Sequence, residues 1–108
     1  NLSLNSISDE GAKALAEALK VNMALQELDL SHNYYISDEG AKALAEALKV
    51  NMALQHLDLT LNKISDEGAM ALAEALKVNT ALRVLFLKWN KISHAVKQQI
   101  STDKRIQF

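Results

Sequence analysis

The chain has no cysteine, no proline, only three glycines and only five aromatic residues in 108 positions. Without cysteine there is no disulfide framework and no thiolate metal site, which fits a reducing compartment, so a cytoplasmic location is expected. Without proline, few irregular loops are expected. The glycines are isolated at helix starts and form no glycine-rich phosphate loop. Charge of one sign is also lacking, since twelve Lys and Arg face thirteen Asp and Glu. Neither a nucleic-acid partner nor an anionic membrane is therefore expected. No apolar run approaches the ~18 residues a membrane span needs. No basic segment leading into an apolar stretch resembles a signal peptide.

What the chain has in quantity is repetition. The twenty residues from Ile7 to Gln26 recur letter for letter from Ile36 to Gln55. A third copy, Ile64 to Arg83, departs only at Met70, Thr80 and Arg83, and Ile92-Ser93 opens a fourth that then diverges. A fixed period of this size is the mark of a solenoid. Each unit changes period midway. Ser8 suits an N-cap, with Asp9 and Glu10 in the first turn where the helix dipole favours acids. Gly11, Ala12, Leu15 and Leu19 then share one helical face, and Lys13, Glu17 and Lys20 form a solvated stripe. The helix is expected to end near Val21-Asn22. Beyond it, Glu27-Leu28-Asp29-Leu30-Ser31 alternates as a short strand with one buried face. Strand, helix and strand in one sense give an α/β chain with a parallel sheet on one side and helices on the other.

Leu25-x-x-Leu28-x-Leu30-x-x-Asn33 recurs at Leu54 to Asn62 and at Leu82 to Asn90. These segments resemble leucine-rich repeats, and the 28–29-residue period with a full helix resembles the ribonuclease-inhibitor-like subclass. The phrase beginning Asp-Glu-Gly-Ala is similar to repeats of NOD-like receptors and related bacterial proteins. The resemblance implies a right-handed solenoid with a concave parallel sheet and convex helices. It also implies that Asn33, Asn62 and Asn90 turn inward to bond the backbone. One departure is Tyr34-Tyr35, where the other units have a single residue between Asn and Ile. One domain over residues 1–108 is expected. It comprises a partial repeat at 1–6, repeats at 7–35, 36–63 and 64–91, and a C-terminal cap at 92–108, in which Ile106-Gln107-Phe108 supplies a last strand. The chain is expected to be part of a longer protein. Its N-terminal face lacks a cap, so it should be covered by further repeats or self-associate.

The copies differ mainly where side chains leave the solenoid. With leucines facing the core, the alternate strand residues face the concave surface. They form a row Glu27, His56, Val84; a row Asp29, Asp58, Phe86 with Ser3 before it; and a row Ser31, Thr60, Lys88. His32, Leu61 and Trp89 lie just beyond. Aromatic anchors carry interface energy disproportionately, and Phe86, Trp89, Tyr34 and Tyr35 all fall at the sheet or its rim. Glu27, Asp29, His32, Tyr34, Tyr35, His56, Asp58, Phe86, Lys88 and Trp89 are therefore the candidate partner-binding residues.

Glu27, Asp29, His56 and Asp58 are also the residue types of a metal site or an acid–base pair. An open sheet offers no enclosing walls for either. No metal, cofactor or catalysis is expected. The function expected is a non-catalytic module binding a protein on its concave face, with the acids attracting a basic partner. The alternative is a scaffold, including a consensus-designed repeat protein, without a specific ligand. A bacterial effector acting in host cytosol would be an alternative setting.

Overall fold

A computed structural model describes Leu2 and residues 6–108. The first partial strand and Ser3 fall outside the described residues, apart from Leu2, whose amide donates to Asp29 O. Helices and strands alternate: α1 (Asp9–Leu19), β1 (Glu27–Asp29), α2 (Asp38–Leu48), β2 (His56–Asp58), α3 (Asp66–Val78), β3 (Val84–Phe86), α4 (His94–Ile100) and β4 (Ile106–Gln107). The four strands form one parallel sheet in sequential order. Each helix packs on the next, α1 on α2, α2 on α3 and α3 on α4. The core lies between the layers and consists of Leu, Ile and Ala side chains such as Leu30, Leu44, Leu57, Leu72 and Leu85.

Alanine and glycine set how closely the helices approach. Ala12, Ala41 and Ala69 are wholly buried. A Cβ on Gly40 would lie 2.7 Å from Asp9 Oδ1 and 3.0 Å from both Ala12 Cβ and Ile36 Cγ2, and Gly68 is as crowded. The reason is a hydrogen-bond pattern that local rules do not anticipate. Ser37 and Ser65 occupy N-cap positions, but their hydroxyls do not cap their own helices. The carboxylate of the preceding helix does so instead. Asp9 accepts the amides of Ser37 (2.7 Å) and Gly40 (2.9 Å) and the Ser37 hydroxyl (2.5 Å). Asp38 takes the same three donors from Ser65 and Gly68. Asp66 accepts only the Ser93 amide, and Ser93 then caps α4 with its own hydroxyl.

A second seam joins the far ends of the helices. Asn51 Nδ2 donates to Leu19 O and Asn22 O, and Asn79 Nδ2 to Leu48 O and Asn51 O. Their Oδ1 atoms accept amides two and three residues on, fixing the turn toward each strand. After the last of these repeats Arg105 takes over. Its guanidinium donates to Leu76 O (2.5 Å) and Asn79 O (2.6 Å), the carbonyls a following Asn would occupy, while Asp103 holds it by a 2.7 Å ion pair. The Arg105 hydrogen bond holds the Asp103 carboxyl below its ordinary value despite the opposing effect of burial. Leu25, at the other end, has only one described neighbouring repeat. It is 39% exposed, whereas its equivalents Leu54 and Leu82 are buried.

The seams make two changes testable by thermal unfolding. Gly40→Ala should raise helix propensity by about 1 kcal/mol, yet it should destabilise the protein by about 1–3 kcal/mol because the site is overpacked. An unchanged or raised midpoint would contradict the crowding. The Asp9 carboxyl is held below its ordinary value: burial pushes it up, but the Ser37 and Gly40 hydrogen bonds and nearby Lys13 outweigh that. With the folded value below the unfolded one, its stabilisation is full above about pH 4 and is lost as pH falls through the folded value. Melting midpoints of the wild type and Asp9→Asn should therefore converge on acidification, and a constant gap would contradict the assignment.

Candidate functional site

The parallel register sets Glu27 beside His56 and His56 beside Val84. It likewise sets Asp29 beside Asp58 and Asp58 beside Phe86. The two expected rows thus exist, because leucine alternation turns Leu28, Leu57 and Leu85 into the core. Together Glu27, Asp29, His56, Asp58 and Phe86 line a shallow depression of about 230 Å³. Phe86 keeps 38% of its surface exposed in the row next to the acids.

The carboxylates are held from behind. Asp29 Oδ1 accepts the Ser31 amide (2.9 Å) and hydroxyl (2.6 Å), and Asp58 Oδ1 accepts the Thr60 amide (2.9 Å). Ser31 consequently differs from expectation. It was read as a concave residue, but it is buried and serves as a brace for Asp29. His56 Nδ1 lies 3.7 Å from Glu27 Oε2, beyond hydrogen-bond range, and has no other partner.

Past the strands the backbone turns sharply. His32, Leu61 and Trp89 all sit in the left-handed region, with φ of 59°, 58° and 60°. This row therefore belongs to the turn at the sheet's end, not to the strands. The conformation delivers the following Asn inward. Asn33 Nδ2 donates to Leu30 O, Asn62 Nδ2 to Leu30 O and Leu59 O, and Asn90 Nδ2 to Leu59 O and Leu87 O. The same turn leaves Trp89 outward and 62% exposed. Lys88 Nζ lies 5.1 Å from its ring centroid, and Lys63 Nζ 5.7 Å from that of Tyr35. His32 meets Tyr34 edge to face.

The Tyr34-Tyr35 insertion has a structural consequence. Ile7 and Ile64 donate their amides to Asn33 Oδ1 (3.1 Å) and Asn90 Oδ1 (3.0 Å). Ile36 is the equivalent donor for Asn62, but the extra residue precedes it, and Asn62 Oδ1 is left buried without a partner. Tyr34 itself is forced to φ 69°. Both tyrosines are exposed.

All ten candidate residues therefore lie on the strands or on the turns that follow them, forming an acidic floor with an aromatic edge. Two lysines of that edge, Lys63 and Lys91, were not singled out from the sequence. The Asn-Lys-Ile phrase at 62–64 and 90–92 marks them. A larger concavity of about 480 Å³ lies between α3 and α4, where Met70, Ala73 and Ile100 meet Glu74 and Lys77. It follows from α4 having seven residues against thirteen in α3. Its Glu74 and Lys77 are already paired with each other at 2.7 Å, and its Asp103 is paired with Arg105. Among the described residues no cluster of His, Asp and Glu is arranged to hold a metal. No described helix is long and apolar enough to cross a membrane.

Residues 1–16, 21–45 and 50–73 match the family described as Leucine Rich repeat, and the chain belongs to that family. No curated protein matched it by sequence. Among solved structures, 48 chains are similar, so the fold is a common one and does not by itself name a partner. One of them is the leiomodin-1 actin-binding site 2, at 26% identity and a TM-score of 0.82. The match covers 93% of this chain and 60% of that one, so this chain spans less than two thirds of that structure.

The orphaned Asn62 oxygen gives a prediction. Deleting Tyr34 restores the spacing of the other repeats and should return the Ile36 amide to Asn62 Oδ1. Leaving a buried acceptor unpaired costs about 1–3 kcal/mol, so the deletion should raise the denaturant midpoint. A lowered midpoint would show that the insertion is structurally required.

Proposed function

We propose that this chain is a non-catalytic module that binds a protein partner on its concave face, within the ribonuclease-inhibitor-like subclass of the family. The observation that carries the reading is the composition of the floor. Asp29 and Asp58 are braced by the residues two positions on, and Asp58 stands beside an exposed Phe86. Such a surface suits a partner presenting basic side chains next to an apolar one. Leucine-rich repeats in general mediate protein–protein contacts, which supports the reading. A helix of 11 to 13 residues in each full repeat supports the subclass.

The similar solved structure is an actin-binding site, so actin is the first defined protein to test. Immobilised wild type should be compared with Asp58→Asn/Phe86→Ala for retention of purified actin and of proteins from cell extract. At least one protein should be retained by the wild type and bind about tenfold or more weakly to the double variant, with the circular dichroism unchanged. Identical retention by both proteins would remove the floor as the binding surface. Absence of any specific retention would instead favour the scaffold reading, which the letter-for-letter identity of twenty residues in two repeats supports.

A further inference from the structure

The lysines on α1, α2 and α3 and at their C-terminal ends are all neutralised. Lys13, Lys20, Lys42, Lys49 and Lys77 each meet a glutamate of their own helix or the next. At the carboxyl edge of the sheet the pattern reverses. Lys63, Lys88 and Lys91 have no carboxylate within ion-pair distance among the described residues, and all three are exposed. Two of them lie over the exposed rings of Tyr35 and Trp89. The remaining unpaired cations, Arg83, Lys97 and Lys104, lie on α4 or before the strands. The acids of the neighbouring floor, Asp29 and Asp58, are held there by Ser31 and Thr60.

We propose that this edge, formed by Tyr35, Lys63, Lys88, Trp89 and Lys91, docks an acidic peptide segment that carries apolar side chains between its carboxylates. Charge complementarity selects the occupant. Unpaired ammonium groups beside aromatic faces give a carboxylate a partner and a neighbouring apolar side chain a surface to lie on. Lys63 and Lys91 occupy equivalent positions, donating their amides to Ile36 O and Ile64 O. They are thus separated by about one strand spacing, roughly 5 Å, within reach of carboxylates on one extended or helical segment. A nucleic acid fits less well. It carries a charge at every phosphate, and the acidic floor beside the edge would repel the strand wherever it strayed inward. A peptide can place neutral or basic residues there. The inference rests on the reading of the chain as a protein-binding module and adds a second, oppositely charged contact to it.

Trp89 is the sole tryptophan and reports on this edge directly. Its emission should be followed while the full chain is titrated with a synthetic peptide alternating Glu and Leu. A matched Lys/Leu peptide and an oligothymidylate serve as comparisons. The Glu/Leu peptide should shift the emission, the effect should weaken with added salt, and Lys63→Glu/Lys91→Glu should weaken binding by about tenfold or more. Lys77→Glu on the convex face should leave it unaltered, and circular dichroism checks the fold of each variant. No emission change with the Glu/Leu peptide, or an equal response in the charge-reversed variant, would overturn the proposal. A response to oligothymidylate alone would overturn it in favour of nucleic acid. The Asp58→Asn/Phe86→Ala variant separates the two readings. If it loses its protein partner while wild-type Trp89 ignores the Glu/Leu peptide, the edge assignment fails and the floor assignment stands.

Discussion

A repeat of this protein cannot satisfy its own backbone. The amides that open each helix and the carbonyls that close it lie at the seams between repeats, where water is largely excluded. Unpaired polar groups there would cost more than the packing could offset. The chain solves the problem by making each repeat the partner of the next. Asp9 and Asp38 reach forward to the start of the following helix, and Asn51 and Asn79 reach back to the end of the preceding one. Each unit thus lends one residue in each direction, and the polar seam is dictated by the same period as the leucine core. This explains why Gly40 and Gly68 occupy helical positions that propensity alone would assign to alanine.

A seam of this kind has to be closed where the repetition stops. At the C-terminal end the closure is chemical as well as steric. Arg105 supplies donors to the Leu76 and Asn79 carbonyls that an Asn serves elsewhere, and Asp103 fixes its orientation. β4 meanwhile covers the edge of β3 with Ile106 against Leu85. A guanidinium is well suited to the substitution, because one planar group spans several acceptors at once. The same region departs from the consensus at α4, where His94 stands at the position of Asp9, Asp38 and Asp66. The forward-reaching carboxylate is therefore missing from the one helix that has no successor among the described residues.

Much of this was legible in the sequence, for identifiable reasons. Leucine alternation and the fixed period together determine which strand residues stand side by side, so the rows through Glu27 and Asp29 could be read without coordinates. The inward Asn33, Asn62 and Asn90 followed from the family resemblance. The roles of Asp9 and Asp38 were not legible. A local reading assigns an acid in the first turn to the dipole of its own helix, and nothing in a linear window points to a serine 27 or 28 residues away. Arg105 was missed because it replaces an Asn by function and not by alignment. Ser31 was placed on the concave face by strict alternation, but the strand proper ends at Asp29, and the side chain turns back to brace that residue.

Local strain is gathered in one place. Among the described residues, every non-glycine residue with positive φ, and the orphaned Asn62 oxygen, lies at the carboxyl edge of the sheet. A left-handed residue other than glycine costs roughly 1–2 kcal/mol, and an asparagine or glycine at 61 or 89 would relieve it. Selection for stability alone would therefore favour different residues at these turns. The turns must be left-handed to deliver Asn62 and Asn90 inward, so the fold explains the conformation. It does not explain why the side chains bearing it are as large as Leu61 and Trp89. Nor does the fold require the extra residue at Tyr34-Tyr35, since the other repeats do without it. Strain that packing does not require, set beside exposed rings and unpaired lysines, separates this edge from the outer faces of α1, α2 and α3, where the lysines are already matched.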